Sequence, residues 1–285
     1  MIMDKENLTE SYFDGEHFEG HGDKWNAIFG ISEKFFALHL RKCIQDGAVI
    51  FSPENIGQNY FGISYPEEED AKVLSIIEAK ESGNEFVSSV PFLAGAENEV
   101  ILKEAYTWSE VLAEGEFAVE TKEEKIISFF DPLYAVDREK FVKDKTQVIS
   151  LSGLAYTLEK MQEQEFVLDH GNGYEYFKDE FLRDNPDKSE ADFEPPVIKL
   201  DAERFRMMIP KTYTSEYEIV AQIEEIKHID FLDEKLTVMK VNLEHAQEEE
   251  YLYCNIYASE SVLGEYEPQV GDGIAAVVCL SGTFC

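Results

Sequence analysis

Apolar and polar residues alternate most regularly in the last third of the chain. Ile219, Ala221 and Ile223 fall on one face of residues 217–226, and Glu218, Gln222 and Glu224 on the other. That period of two is the mark of a half-buried strand. Leu232-Asp233-Glu234-Lys235 predicts a hairpin turn, with 236–243 returning. Leu252, Cys254 and Ile256 then alternate with Tyr251, Tyr253 and Tyr257, and Gly271-Asp272-Gly273 leads into an apolar run over 274–280. Four strands joined by tight turns predict a small antiparallel, OB-like barrel over 197–285.

Upstream the pattern is mixed. Ser32 as an N-cap, followed by Phe36, Leu40, Cys43 and Ile44 at helical spacing, predicts a helix over 32–45 that stops at Gly47. Residues 48–51 read as a short buried strand, and the acids Glu67–Asp70 open the next element. Residues 73–79 fit a helix or a strand. From residue 100 the texture turns to strands, at 100–108, 111–119 and 125–130. Residues 147–161 are ambiguous. Leu151, Leu154, Ala155, Leu158 and Met161 fit a helix face, yet strict alternation fits as well. Tyr174, Phe177 and Phe181 suggest a short helix, and 183–196, ending in Pro195-Pro196, reads as a linker.

The expected fold class is therefore α+β, predominantly antiparallel β. A mixed α/β region occupies 1–99, a β-rich region 100–196, and the barrel-like domain 197–285. Strands in 100–130 and 217–243 share a texture too loose to establish a duplication.

Composition narrows this picture. Hydrophobic residues make up 44% of the chain, with 20 Phe and 14 Tyr, which excludes a disordered acidic tail. Lys and Arg number 25 against 59 Asp and Glu, a formal net charge of −34. Such a field opposes phosphate backbones and anionic membranes and favours basic proteins. The basic residues form no stripe. Direct nucleic-acid binding and membrane association are not expected. Cys43, Cys254, Cys279 and Cys285 are widely spaced, and no apolar segment of signal length opens the sequence, so the expected compartment is the cytoplasm.

Candidate chemistry is sparse. His17 and His21 lie four residues apart among the carboxylates of 14–23, a spacing that lets two imidazoles share a metal on a helix. Gly15, Gly20 and Gly22 oppose that helix, and the alternative is an exposed polar loop. Asp169-His170 sits in a glycine-rich turn. Ser152-Gly153 and Ser281-Gly282 lack the Gly-x-Ser-x-Gly frame of a nucleophile elbow, and Cys254 and Cys279 fall on strand faces expected to be buried. No phosphate-binding loop occurs, and no catalytic residue is named. The remaining signal is an acidic run beside an aromatic stripe, Glu248, Glu249, Glu250, Tyr251 and Tyr253. Acids can steer a basic partner and an aromatic ring can anchor it. The expected function is a non-enzymatic binding protein for a basic protein partner, without cofactor. The competing expectations are a metal-dependent enzyme using His17 and His21 with a divalent ion, and a nucleic-acid mimic.

Overall fold

The computed structural model describes residues 9–11, 21–108, 113–162, 164–200, 205–211, 215–244 and 252–285. The chain opens with β1 (Thr9–Ser11), α1 (Gly22–Phe29), α2 (Ser32–Leu38), α3 (Leu40–Asp46), β2 (Ala48–Phe51), α4 (Pro53–Ile56), β3 (Tyr60–Tyr65), β4 (Ala71–Lys80) and β5 (Gly83–Leu93). Next come β6 (Ala96–Trp108), β7 (Gly115–Glu120), β8 (Ile126–Asp131), α5 (Tyr134–Asp137) and β9 (Thr146–Lys160). An excursion of β10 (Gln164–Val167), α6 (Gly171–Asp184) and β11 (Val197–Leu200) follows. The chain ends with β12 (Met207–Pro210), β13 (Glu216–Phe231), β14 (Glu234–Asn242), β15 (Tyr253–Ser259), α7 (Glu260–Leu263) and β16 (Gly273–Phe284). The fold is β-rich and α+β. It has a large mixed sheet of ten strands, a four-stranded sheet ordered β2-β3-β4-β5, and the β10–β11 pair.

Several local outcomes differ from the pattern. The helix over 32–45 is two helices that meet at His39, whose backbone lies at φ −115 and ψ −39 and whose ring stacks on Phe29 at 5.3 Å. Ser32 is the first helical residue, and its N–H is satisfied by Asn26 Oδ1 at 2.6 Å. Residues 48–51 form an edge strand with only Phe51 buried. The acids at 67–70 form a bend, and both ambiguous segments are strands, β4 and β9. Strand β9 is long because it is paired on both sides.

The large sheet contains two circuits of pairing. In the first, β6, β7 and β8 form an antiparallel meander. Strand β8 meets β16 in parallel, β16 runs antiparallel to β9, and β9 returns to β6. In the second, β13, β14 and β15 form the meander, β15 meets β9 in parallel, and β16 returns to β13. The two halves have the same order of elements, three strands, a short helix and a fourth strand. Each half's fourth strand also completes the other's circuit. Pairing between β9 and β16 therefore crosses the 196/197 boundary, from Ile149 with Phe284 to Lys160 with Ile274.

Two sequence features make the exchange work. Besides pairing with β1 and β12, strands β6 and β13 each serve two neighbours within the circuits, and each carries an irregularity where it passes from one to the other, at Leu102/Glu104 and at Ile223/Glu225. An extra residue bends a strand and increases its twist, which sends its two ends to different neighbours. At the crossing of β9 and β16, Leu151-Ser152-Gly153 meets Leu280-Ser281-Gly282, with Ser152 opposite Ser281. Both glycines allow close approach. A Cβ on Gly153 would come within 2.8 Å of Ile256, and one on Gly282 within 2.9 Å of the Phe129 ring.

The main core draws on both halves, including Phe117, Phe129, Ile149, Ile219, Met239, Ile256 and Leu280. A second cluster seats the N-terminal helices. Trp25 stacks on Phe35 at 3.6 Å, among Cys43, Val73, Leu236 and Tyr257. The predicted aromatic face of α6 holds a peripheral lobe together. Tyr174 and Phe181 each meet Phe193, at 5.5 Å, and no residue of α6 is buried.

Candidate functional site

The start of α1 lies against the junction of the two circuits and closes one wall of a cleft. His21 ends the approach to that helix at φ 55, a left-handed conformation that costs a non-glycine residue roughly 1–2 kcal/mol. Its ring is buried, stacked on Trp108 at 5.5 Å and tilted against Phe130 at 5.1 Å. Lys24, one helical turn on, places Nζ 3.0 Å from His21 Nδ1. An ammonium only donates, so Nδ1 accepts and the proton sits on Nε2. Nε2 then donates to Glu114 Oε1 at 3.0 Å, and Ser88 Oγ donates to the same oxygen at 2.7 Å.

Burial alone would raise the pKa of Glu114. The positive charge of the His21–Lys24 pair and the hydrogen bonds from His21 and Ser88 outweigh it and hold the carboxyl below its ordinary range. Lys24 Nζ also sits 4.1 Å from the centre of the Phe130 ring. His21, Lys24 and Glu114 thus form a closed polar strut inside the wall, with both imidazole nitrogens occupied.

The cleft in front of this strut has a volume of about 330 Å³. Asp23 faces it from the first turn of α1, Glu116 from β7, Glu216 from the start of β13 and Cys279 from β16. Glu216 and Cys279 are direct cross-strand partners. Tyr156 reaches the cleft from an irregularity in β9, between the residues paired with Val277 and Val278. Such a bulge re-aims a side chain. Ser215, only 5% exposed, lines the cleft, and its Oγ has no hydrogen-bond partner. A second groove of about 750 Å³ continues outward, sharing Asp23, Asn26, Tyr156 and Glu216 with the cleft.

Electrostatics set what the cleft can do. Glu216 is pushed above the usual carboxylate range, first by burial and then by the charge of Asp23, with Lys24 and Lys211 opposing. Burial likewise raises the Cys279 thiol, and it raises the Tyr156 phenol strongly. A raised thiol or phenol holds its proton and is a poor nucleophile. The lining favours binding a charged group over attacking one.

Of the residues expected from sequence to hold a metal or a partner, His21 and Tyr253 are described. They line different cavities. Tyr253 is half-buried in a groove of about 420 Å³, with Lys240 Nζ 4.7 Å from its ring centre, and Lys240 is paired to Glu225 at 3.1 Å. His17, Glu248, Glu249, Glu250 and Tyr251 lie outside the described residues. His21 does not sit in an exposed loop, because Trp108, Phe130 and Glu114 enclose it. Among the described residues, no group of three or more His, Cys, Asp or Glu is arranged to hold a metal ion. None of their helices is long and apolar enough to cross a membrane. Sequence reasoning missed Lys24, Glu114, Ser215 and Glu216. Only Lys24 carried a local signal, three residues beyond a candidate histidine.

No protein-family model matches the chain, and no curated protein and no solved structure matches it.

Proposed function

We propose that this chain is a non-enzymatic binding protein that engages a basic protein partner. The observation that carries the reading is the placement of its excess acid on a folded surface where several of the lysines are already paired. Lys80 is held by Glu78 and Glu85, Lys103 by Glu120 and Asp144, Lys160 by Asp272, and Lys227 by Asp70. Glu67, Glu68 and Glu69 are exposed on the bend between β3 and β4. Such pairs stabilise little, but they leave the net field negative, and that field steers basic partners. The occupied imidazole of His21 and the raised thiol of Cys279 favour binding over catalysis.

The frame that presents this surface we read as OB-like, five strands to each circuit, with the second circuit borrowing β9 from outside 197–285. Cys43, Cys254, Cys279 and Cys285 are free thiols, which supports a reducing compartment such as the cytoplasm.

The test is fluorescence anisotropy with a labelled Lys/Arg-rich peptide and an acidic peptide of equal length. The basic peptide is expected to bind and to weaken steeply as salt rises, and the acidic peptide not to bind. Replacing Glu248, Glu249 and Glu250 together by Lys is expected to slow association and flatten the salt dependence. Equal binding of both peptides, or binding of neither, overturns the reading.

A further inference from the structure

We propose that Asp131 and Asp137 share one proton, that this proton pins the end of β16 against α5, and that the end of β16 is released when the proton leaves. The pin goes beyond the binding reading above and uses none of the residues that line the cleft.

Both carboxyls are buried, Asp131 at the end of β8 and Asp137 at the end of α5, and they lie within hydrogen-bonding reach of each other. Asp137 already acts as an acceptor. Its Oδ2 takes the Phe284 N–H at 2.8 Å, and its Oδ1 takes the Lys140 ammonium at 2.8 Å. Asp131 Oδ1 accepts from Leu133 N at 2.7 Å, but Asp131 Oδ2 is buried with no hydrogen-bond partner. An ionised carboxylate has no hydrogen to give. Without a proton, two like charges would face each other out of water, which strongly favours keeping one of them neutral. A proton on Asp131 turns that repulsion into a hydrogen bond donated to Asp137. The one remaining negative charge is then matched by Lys140.

The described groups around the pair do not replace that proton. From β7, the residue opposite Asp131 is Gly115, which brings no charge. Within α5, the Tyr134 phenol is engaged with Thr107 Oγ1 at 2.7 Å, and the Arg138 charge acts on that phenol. Beyond Phe284, the Cys285 thiol is pushed up by burial, Glu97 and Asp137, with Lys140 opposing, so it holds its own proton. Lys140 and the Leu133 N–H do oppose the rise at Asp131, but burial and the charge of Asp137 outweigh both. The folded value is raised, so the pin holds below it and is lost as pH rises through it.

The geometry also says which contact gives way. Asp131 is held by the pairing of β8 and by Leu133 N. Asp137 ends a four-residue helix and is tied to a half-exposed lysine, so it is the carboxylate that can turn toward water. Turning outward drops the Phe284 N–H. The next bond along is Cys285 N to Val148 O at 3.0 Å. The Phe284 ring still packs on Phe117 at 4.6 Å, which keeps the opening local and the sheet closed.

NMR of the whole chain from about pH 4 to about pH 10 tests this. The side-chain carboxyl carbons of Asp131 and Asp137 report the proton, and the Phe284 amide reports the pin. Both carbons are expected to shift in one common step above the ordinary carboxylate range. Protection of the Phe284 amide, corrected for its intrinsic exchange rate, is expected to fall about tenfold or more over the same step. Asp131→Asn, whose amide can donate to Asp137 at every pH, is expected to abolish that fall. Asp137→Asn removes the like charge from the other side, is expected to do the same, and serves if Asp131→Asn misfolds. An Asp131 carboxyl that titrates in the ordinary range, or the absence of a common step, overturns the shared proton. A step that leaves Phe284 protected, or a fall that persists in both variants, overturns the release. Loss of protection at Leu74 of β4 in the same step overturns the local pin in favour of global opening.

Discussion

The two halves of the large sheet share a frame and differ in their connectors. In the first half, the link from β6 to β7 runs from Trp108 to Gly115 and brings Glu114 onto His21. In the second, β13 and β14 are joined by Leu232 and Asp233 alone, between the paired residues Phe231 and Glu234. The helices after the third strands differ in the same way. α5 buries Tyr134, Ala135 and Asp137, whereas α7 buries none of its residues and is capped by Ser259 Oγ. The strands close the circuits, and the connectors of the first half carry buried charge, Glu114 and Asp137, whereas the cleft is lined from α1 and from strands of both halves.

The largest effect comes from removing what the halves share. A chain ending at residue 272 lacks β16, which both circuits need. Cooperative unfolding, followed by circular dichroism, is expected to disappear for the whole sheet. A surviving native half would break the comparison. Next is Glu114→Ala, which leaves His21 and Ser88 without their acceptor in a buried wall. A loss of about 3 kcal/mol in urea unfolding is expected.

A smaller and more specific effect tests the equivalence of β9 and β16. Gly153→Ala and Gly282→Ala each put a methyl into a close approach, against Ile256 and Phe129. Each is expected to cost about 1–3 kcal/mol. Similar costs support the repeat, and a cost confined to one glycine argues against it.

The smallest effect is the pH slope that two buried carboxyls of the first half contribute. Asp131 is fully buried, and burial together with the charge of Asp137 raises its pKa well above the ordinary value. The folded chain then binds this proton more tightly than the unfolded chain does. Its stabilisation is complete below about pH 4, the unfolded value, and is lost as pH rises toward the raised folded value. Glu114 has the opposite sign. Its folded pKa is lowered, so its stabilisation is present above about pH 4 and is lost as pH falls through the folded value. Asp131→Asn is expected to raise stability at neutral pH by about 1 kcal/mol and flatten the slope above pH 4. Denaturation across a pH series reads both signs.

How much of this the chain announces depends on how local each feature is. Strands β13 to β16 are legible because Ile219, Ala221 and Ile223 alternate with polar neighbours over a half-exposed surface. Residues 147–161 are not legible, because both faces of the strand are packed around 151–155, Leu151 and Ala155 in the main core and Leu154 in the cluster under the N-terminal helices, which removes the alternation. The repeat did leave a trace. Ser152-Gly153 and Ser281-Gly282, weighed above as nucleophiles, are the crossing point of the two shared strands. Their meaning is a contact between residues more than a hundred positions apart, which neither segment displays alone. The cleft was half visible. His21 stood out by type, but Glu114 lies 93 residues away, and the bulge that presents Tyr156 exists only against β16.

The central claim is that the two halves of the large sheet are one cooperative unit, because β9 and β16 each complete the other half's circuit. Native-state hydrogen exchange in mild denaturant tests it most directly. The protected amides of β7 and β8 and those of β14 and β15 are expected to exchange through one common global opening, with the same dependence on denaturant. One meander exchanging through a separate opening well below the stability of the other would contradict the account.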